Sequence, residues 1–169
     1  MKKQNVRLIV TMALMVALQI VLSRFLSINT ETFKIGFGFV PIFITAVLYG
    51  PIEAGLVAVL ADVVGATLFP SGPFFPGFTL TSFCTGLTFG LLLHKKQTIA
   101  RIALSTAINQ LILGLLVNTF WLSILYTTPF LEQMYLRIVQ CLILIPVEFV
   151  VMSALSRALF PRLKEAAMA

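Results

Sequence analysis

Five ionisable side chains stand inside or at the edge of long apolar runs: Arg24, Glu53, Asp62, Arg137 and Glu148. A charge in hydrocarbon is costly, so each needs a partner, a water-filled cavity or a reach to the interface. Glu53 opens an apolar run just past Pro51, where a helix dipole favours an acid. Asp62 lies about 15 Å further along a helix than Ile52, at 1.5 Å per residue. No compatible charge lies one turn away from it on its own helix, so it either pairs with Arg24 or Arg137 or faces a ligand. Arg24 and Arg137 stand near the ends of their runs. They either snorkel to the interface or line a pocket as two cations that attract a carboxylate. Glu148 follows Pro146 by two positions. Proline frees a backbone carbonyl one turn back, and the acid reads as a structural partner to a neighbouring helix.

Softer polar groups gather near the two arginines. Asn118 and Trp121 are three apart and share a helix face. Tyr126 closes that helix, and Tyr135 opens the next. Thr79, Thr81 and Ser82 follow a loop that carries Phe74, Phe75 and Phe78. Each large aromatic taken alone fits an interfacial belt. Amides, hydroxyls, aromatics and two arginines at one depth describe a pocket for a flat, polar, anionic organic molecule.

These residues need apolar helices to position them. The 169 residues are 59% apolar and 11% charged, against roughly 25% charged in a soluble domain. That is too little charge to cover a water-facing surface, and the chain reads as an all-α integral membrane protein. Its net charge of +6 comes from cations at the ends of apolar runs, which indicates membrane orientation and no nucleic acid partner. Cys84 and Cys141 fit no metal spacing and read as small packing residues. Lys2, Lys3 and Arg7 precede an apolar run as in a signal peptide. The run continues to about Leu22 with no small-residue cleavage site, so it reads as an uncleaved first span.

A spanning helix needs about 20 apolar residues. Six spans are expected, at about 8–26, 37–49, 52–69, 78–93, 102–126 and 134–160, in a single domain covering 1–169. The second is too short to cross alone. Nine of the twelve cations fall on one side: Lys2, Lys3, Arg7, Lys95, Lys96, Arg101, Arg157, Arg162 and Lys164. The positive-inside rule then puts both termini in the cytoplasm of a prokaryotic plasma membrane. The loops 27–34, 70–77 and 127–133 face outside. Small-x3-small patterns, Ala13 to Ala17, Gly86 to Gly90 and Ala103 to Ala107, allow close helix approach. Internal packing explains such patterns, and a partner-binding face is best supported for Ala13 and Ala17.

Several chemistries have no residues to carry them. There is no G-x4-G-K-[ST] and no H-E-x-x-H, so neither a P-loop nor a zincin site is present. His94 is the only histidine, beside Lys95 and Lys96. No nucleophile–base pair is legible. The expectation is a non-enzyme with no metal and no cofactor of its own.

The stretch LFPSGPFFPGFTLTSF, residues 68–83, is a proline- and glycine-rich loop without a charge. Pro70, Pro73 and Pro76 recur every three residues, which suits a stiff extended course. Phe74 and Phe75 supply flat faces. The loop reads as a semi-rigid aromatic lid over a pocket.

Ala13-x3-Ala17, IGFGFVPI (residues 35–42), LYGP (48–51), ADVVGA (61–66) and FPSGPFFPGFTLT (69–81) together resemble the S-components of energy-coupling factor vitamin transporters. The Pro-Phe-Gly loop makes the chain look most like the folate-binding S-component. The resemblance implies a subunit that captures a vitamin from outside. It implies association with a transmembrane coupling subunit and two cytoplasmic ATPases, which would hold the ATP. It implies toppling in the membrane to release substrate inward. It places Ala13 and Ala17 against the coupling subunit and makes 27–34 and 71–77 the gates. A carboxylate accepts the amino and ring N–H groups of a pterin, so Asp62 is the candidate there, with Asn118 on the adjoining carbonyl. Trp121 and the loop phenylalanines would cover the p-aminobenzoyl ring, and Arg24 or Arg137 would meet the glutamate carboxylates. An S-component for riboflavin or a thiamine precursor is the alternative within this class. A membrane-embedded enzyme or scaffold acting on lipid is the alternative outside it.

Overall fold

The computed structural model describes residues 2–29, 34–70 and 72–158. Residues 30–33 and 71, which belong to the two expected gates, and the end of the sixth expected span beyond Ala158 lie outside the described residues.

Helix α1 (Lys2–Ile20) runs on as a π-helical turn, Val21–Phe25. Strands β1 (Ser27–Asn29) and β2 (Lys34–Gly36) then pair antiparallel, Ser27 opposite Gly36 and Asn29 opposite Lys34. The Ser27 hydroxyl donates to the Ser23 carbonyl at 2.7 Å and ties the hairpin to the end of the first span. Helix α2 (Phe39–Leu48) is buried along most of its length. Its ten residues cover about 15 Å, half the hydrocarbon thickness. The second expected span therefore enters the bundle without crossing it, because the hairpin takes up the residues before it.

Gly50, with φ 118°, ends that segment, and Pro51 opens α3 (Pro51–Leu68). Proline suits a first helical position, whose N–H has no helical acceptor. The same device opens α4 (Pro76–Leu93), with Phe75 extended before Pro76. Helix α5 (Ile99–Ala107), a π-helical stretch Ile108–Val117 and α6 (Asn118–Tyr126) form one continuous span. Thr127, at φ 52°, turns the chain into α7 (Phe130–Ala158). That helix begins four residues earlier than the sequence suggests, and the loop before it shortens accordingly. Among the described residues, five helical segments are long and apolar enough to cross a membrane: Val6–Phe25, Pro51–Leu68, Pro76–Leu93, Ile99–Tyr126 and Phe130–Ala158.

The core forms around α2. Phe43, Ala46, Ala54, Ala58, Phe89, Ile102 and Met152 are buried together from α2, α3, α4, α5 and α7. Helices α3 and α4 touch backbone to backbone. A Cβ on Gly86 would stand 2.5 Å from Gly55 N, and one on Gly90 would overlap Pro51. The Gly86-x3-Gly90 pattern thus serves internal packing. Helix α1 is different: Ala13 and Ala17 are both exposed on one face.

Candidate ligand-binding site

A cavity of about 420 Å³ opens between the π-helical end of α1, the hairpin, α3, α4, the α5–α6 span and α7. That size suits a small organic ligand, whose sites run from roughly 300 to 1,000 Å³. Its walls hold both arginines, Arg24 and Arg137, and both mid-span acids, Asp62 and Glu148.

Each wall follows from local sequence. On the α1 wall, the π turn aims Ser23 and Arg24 inward with Gln19. Arg24 lays its guanidinium against Gly65, where a Cβ would meet Nε at 3.1 Å. On α3, Asp62 lies one turn from Gly65, and its Oδ2 accepts the Thr79 hydroxyl of α4 at 2.7 Å. On α7, Arg137, Cys141, Leu144 and Glu148 are all buried. Their spacing of four, three and four keeps them on one helical face.

The fifth span contributes through its π-helical stretch. Hydrogen bonds from i to i+5 widen the turn, and such bulges recur at functional sites. Asn109, Gly114 and Asn118, spaced five and four, all line the cavity. Gly114 leaves room for the Gln110 amide, whose Oε1 would lie 3.3 Å from a Cβ there. Gln110 Nε2 donates to Glu148 Oε1 at 2.6 Å, and Cys141 Sγ meets the Gln110 carbonyl at 3.3 Å. The cavity floor is thereby tied to α7.

Phe74, Phe75 and Phe78 line the cavity from the loop and the start of α4, and Gly72 and Tyr126 stand at its rim. A Cβ on Gly72 would lie 3.9 Å from the Tyr126 hydroxyl. The loop divides in two. Phe74 is 52% exposed, whereas Phe75 is pinned between Phe78, ring centroids 6.0 Å apart, and Trp121, 5.6 Å apart. Trp121 Nε1–H donates to Thr81 Oγ1 at 3.2 Å.

Of the residues singled out from sequence, Arg24, Asp62, Phe74, Phe75, Phe78, Thr81, Asn118, Tyr126 and Arg137 come together on the cavity wall. Thr79 and Trp121 sit one layer back, holding Asp62 and Phe75. Glu148, expected to serve structure, lines the cavity, as do Gln19, Asn109 and Gln110. An amide within an apolar run was the available signal for the last three. Tyr135 is 68% exposed and fits the interfacial belt. Ala13 and Ala17 lie on the first span, away from the cavity lining.

The cavity is also polar in an unusual way. Arg137 Nε and Nη1, both amide atoms of Asn109, Asn118 Oδ1, Gln19 Oε1 and Glu148 Oε2 are buried with no hydrogen-bond partner from the described residues. An unsatisfied buried polar atom costs about 1–3 kcal/mol, so each of these groups calls for a partner such as an ordered water, an ion or a ligand. No group of three or more His, Cys, Asp or Glu among the described residues could hold a metal. The cavity lining combines guanidinium, carboxylate and amide side chains with aromatic rings, a mixture that suits a polar organic ligand.

Residues 7–156 match the family described as ECF transporter, substrate-specific component. The chain belongs to this family. The S-component is similar to the folate transporter FolT of Clostridium novyi, 39% identical over 152 residues, covering 89% of this chain and 87% of that one. It is also similar to FolT of Leuconostoc mesenteroides, 33% identical over 153 residues, covering 86% and 82%. A solved structure described as FolT bound with folic acid superposes with a TM-score of 0.83 at 32% identity, covering 87% of this chain and 90% of that chain. As an S-component the chain is a multi-pass plasma-membrane transport protein and not an enzyme.

Proposed function

We propose that this S-component is the folate-binding membrane subunit of an ATP-driven importer, capturing folate from outside. The observation that carries the reading is the set of charged and amide side chains lining one cavity, Arg24, Asp62, Asn118, Arg137 and Glu148 among them. Folate presents both chemistries they ask for. Its glutamate carboxylates suit a guanidinium, from Arg137 or Arg24, in charge-assisted hydrogen bonds. The pterin amino and ring N–H groups suit a carboxylate, and the cavity has two, Asp62 and Glu148. Asn118, on the cavity wall, meets the adjoining carbonyl. The flat p-aminobenzoyl ring lies against Phe75 and Phe78, with Phe74 closing over it. The similarity to proteins named for folate transport supports the same substrate.

Delivery inward requires an energising module, because this chain has no P-loop. That module comprises a transmembrane coupling subunit and two ATPase subunits, and ATP binds there. The exposed Ala13–Ala17 face of α1 lets a partner helix approach closely. The charge bias of the loops places both termini in the cytoplasm and the lid outside.

The test is to purify the chain in detergent and identify the bound small molecule by mass spectrometry. A folate is expected. A different vitamin would overturn the substrate and leave the class intact.

A further inference from the structure

The end of the bundle away from the cavity mouth carries most of the charge. Nine cations stand on that expected cytoplasmic side against two acids, Glu53 and Glu165, so most of them have no acid to pair with. The connection from α4 to α5 holds three of the nine, Lys95, Lys96 and Arg101. All three are exposed. The polar side chains beside the lysines are engaged locally. A helix ends in unpaired carbonyls, and here Gln97 Nε2 donates to the Leu93 carbonyl at 2.7 Å. Arg101 Nη1 reaches back across the loop to the Leu92 carbonyl at 3.2 Å. His94 Nδ1 lies 3.2 Å from the Val47 carbonyl in the last turn of α2. These contacts serve the carbonyl ends of α2 and α4 without either lysine. Along the same two helices the surface is apolar: Leu91 is 72% exposed, Ile99 53% and Leu104 51%. Cations at the helix ends with aliphatic side chains along the helices match an amphiphile that has an anionic head and acyl chains. A free phosphate would meet the cations and leave the aliphatic surface unused.

We propose that Lys95, Lys96 and Arg101 form a headgroup site for an anionic phospholipid of the inner leaflet. The two lysines meet the phosphate as point charges on flexible stems. Arg101 is anchored through its bond to Leu92 and keeps further N–H donors for the same phosphate. The acyl chains lie along the exposed aliphatic side chains of α4 and α5. A headgroup held there fixes the depth of these two helices in the bilayer.

The purified full chain in detergent is titrated with phosphatidylglycerol and with phosphatidylcholine, and bound lipid is counted by native mass spectrometry. The parent is expected to retain phosphatidylglycerol in preference to phosphatidylcholine. A basic residue near an anionic lipid surface contributes about fivefold in affinity. Lys95→Gln with Lys96→Gln is therefore expected to weaken phosphatidylglycerol binding by about 25-fold and to leave phosphatidylcholine binding unchanged. Both lysines are exposed, so the variant is expected to keep the parent's thermal midpoint. Lys2→Gln with Lys3→Gln removes the same charge from the same side and is expected to bind phosphatidylglycerol like the parent. Equal losses in the two double variants would overturn the site, because diffuse charge would then explain the binding. Displacement of the lipid by excess inorganic phosphate would overturn the assignment to a phospholipid. Parent-like lipid binding in Lys95→Gln with Lys96→Gln, joined to lost co-purification of ATPase subunits, would overturn it in favour of an acidic protein surface.

Discussion

Thr79 reaches from the first turn of α4 and donates its hydroxyl proton to Asp62 on α3 at 2.7 Å. The bond crosses the tightest helix pair in the molecule, the one where Gly86 and Gly90 bring two backbones together. It also fixes a carboxylate that lines the cavity. Thr79→Val keeps the shape and removes the donor. Asp62 is half-buried, and losing a hydrogen bond to a charged group costs about 1.5–3 kcal/mol. The variant is expected to melt at lower temperature in detergent and to bind folate about tenfold less tightly, since 1.4 kcal/mol is tenfold. Unchanged melting and affinity would show the bond to be incidental.

Gly90 tests the packing directly. A Cβ there overlaps Pro51, and backbone cannot give way as a flexible side chain can. Gly90→Val is expected to destabilise the chain by about 1–3 kcal/mol or more, read as a lower thermal midpoint. A fully stable variant would mean that α3 and α4 do not approach this closely.

The aromatic loop is expected to act as a lid. Phe75 is anchored on Trp121, while Phe74 is half-exposed over the cavity. Replacing both by alanine removes the aromatic cover and leaves the floor intact. Folate release from the double variant is expected to be at least about tenfold faster, because interface changes act mostly on dissociation. Stopped-flow dissociation checks this. An unchanged rate would make the loop a mere connector.

The exposed face of α1 is expected to serve assembly. Ala13→Leu with Ala17→Leu blocks close helix approach at positions remote from the cavity. The variant is expected to bind folate like the parent but to lose co-purification with the coupling subunit. Retained assembly would place the partner face elsewhere.

The spans were legible because apolar runs are long and the cations are lopsided. Nine of twelve cations fall at the ends of apolar runs on one expected side, the bias from which an outward-facing aromatic loop is expected. The inward residues Arg24, Asp62, Asn118 and Arg137 were legible because charge and amide are costly in hydrocarbon. Three features were not. The second span was legible as too short to cross alone, and its helix has ten residues, but the hairpin that precedes it was not legible. The π-helical stretch has no sequence signature comparable to a proline, and a 3.6-residue period misplaces Asn109 and Gln110 relative to Asn118. Glu148, two residues after Pro146, reads in sequence as a structural partner to a neighbouring helix, and it does accept from Gln110, 38 positions back along the chain. Its place on the cavity wall was not legible.

The central claim is that this cavity binds folate. Trp121 is the only tryptophan in the chain and packs against the lid residue Phe75, so it reports lid and ligand together. The decisive measurement is a fluorescence titration of the purified, ligand-stripped chain with folic acid, with riboflavin and thiamine run alongside. Saturable quenching by folic acid at one site per chain is expected, with a dissociation constant below about 1 µM, some 8 kcal/mol of binding free energy, and no saturable change with the other two. Saturable binding of riboflavin or thiamine with none of folic acid would contradict it.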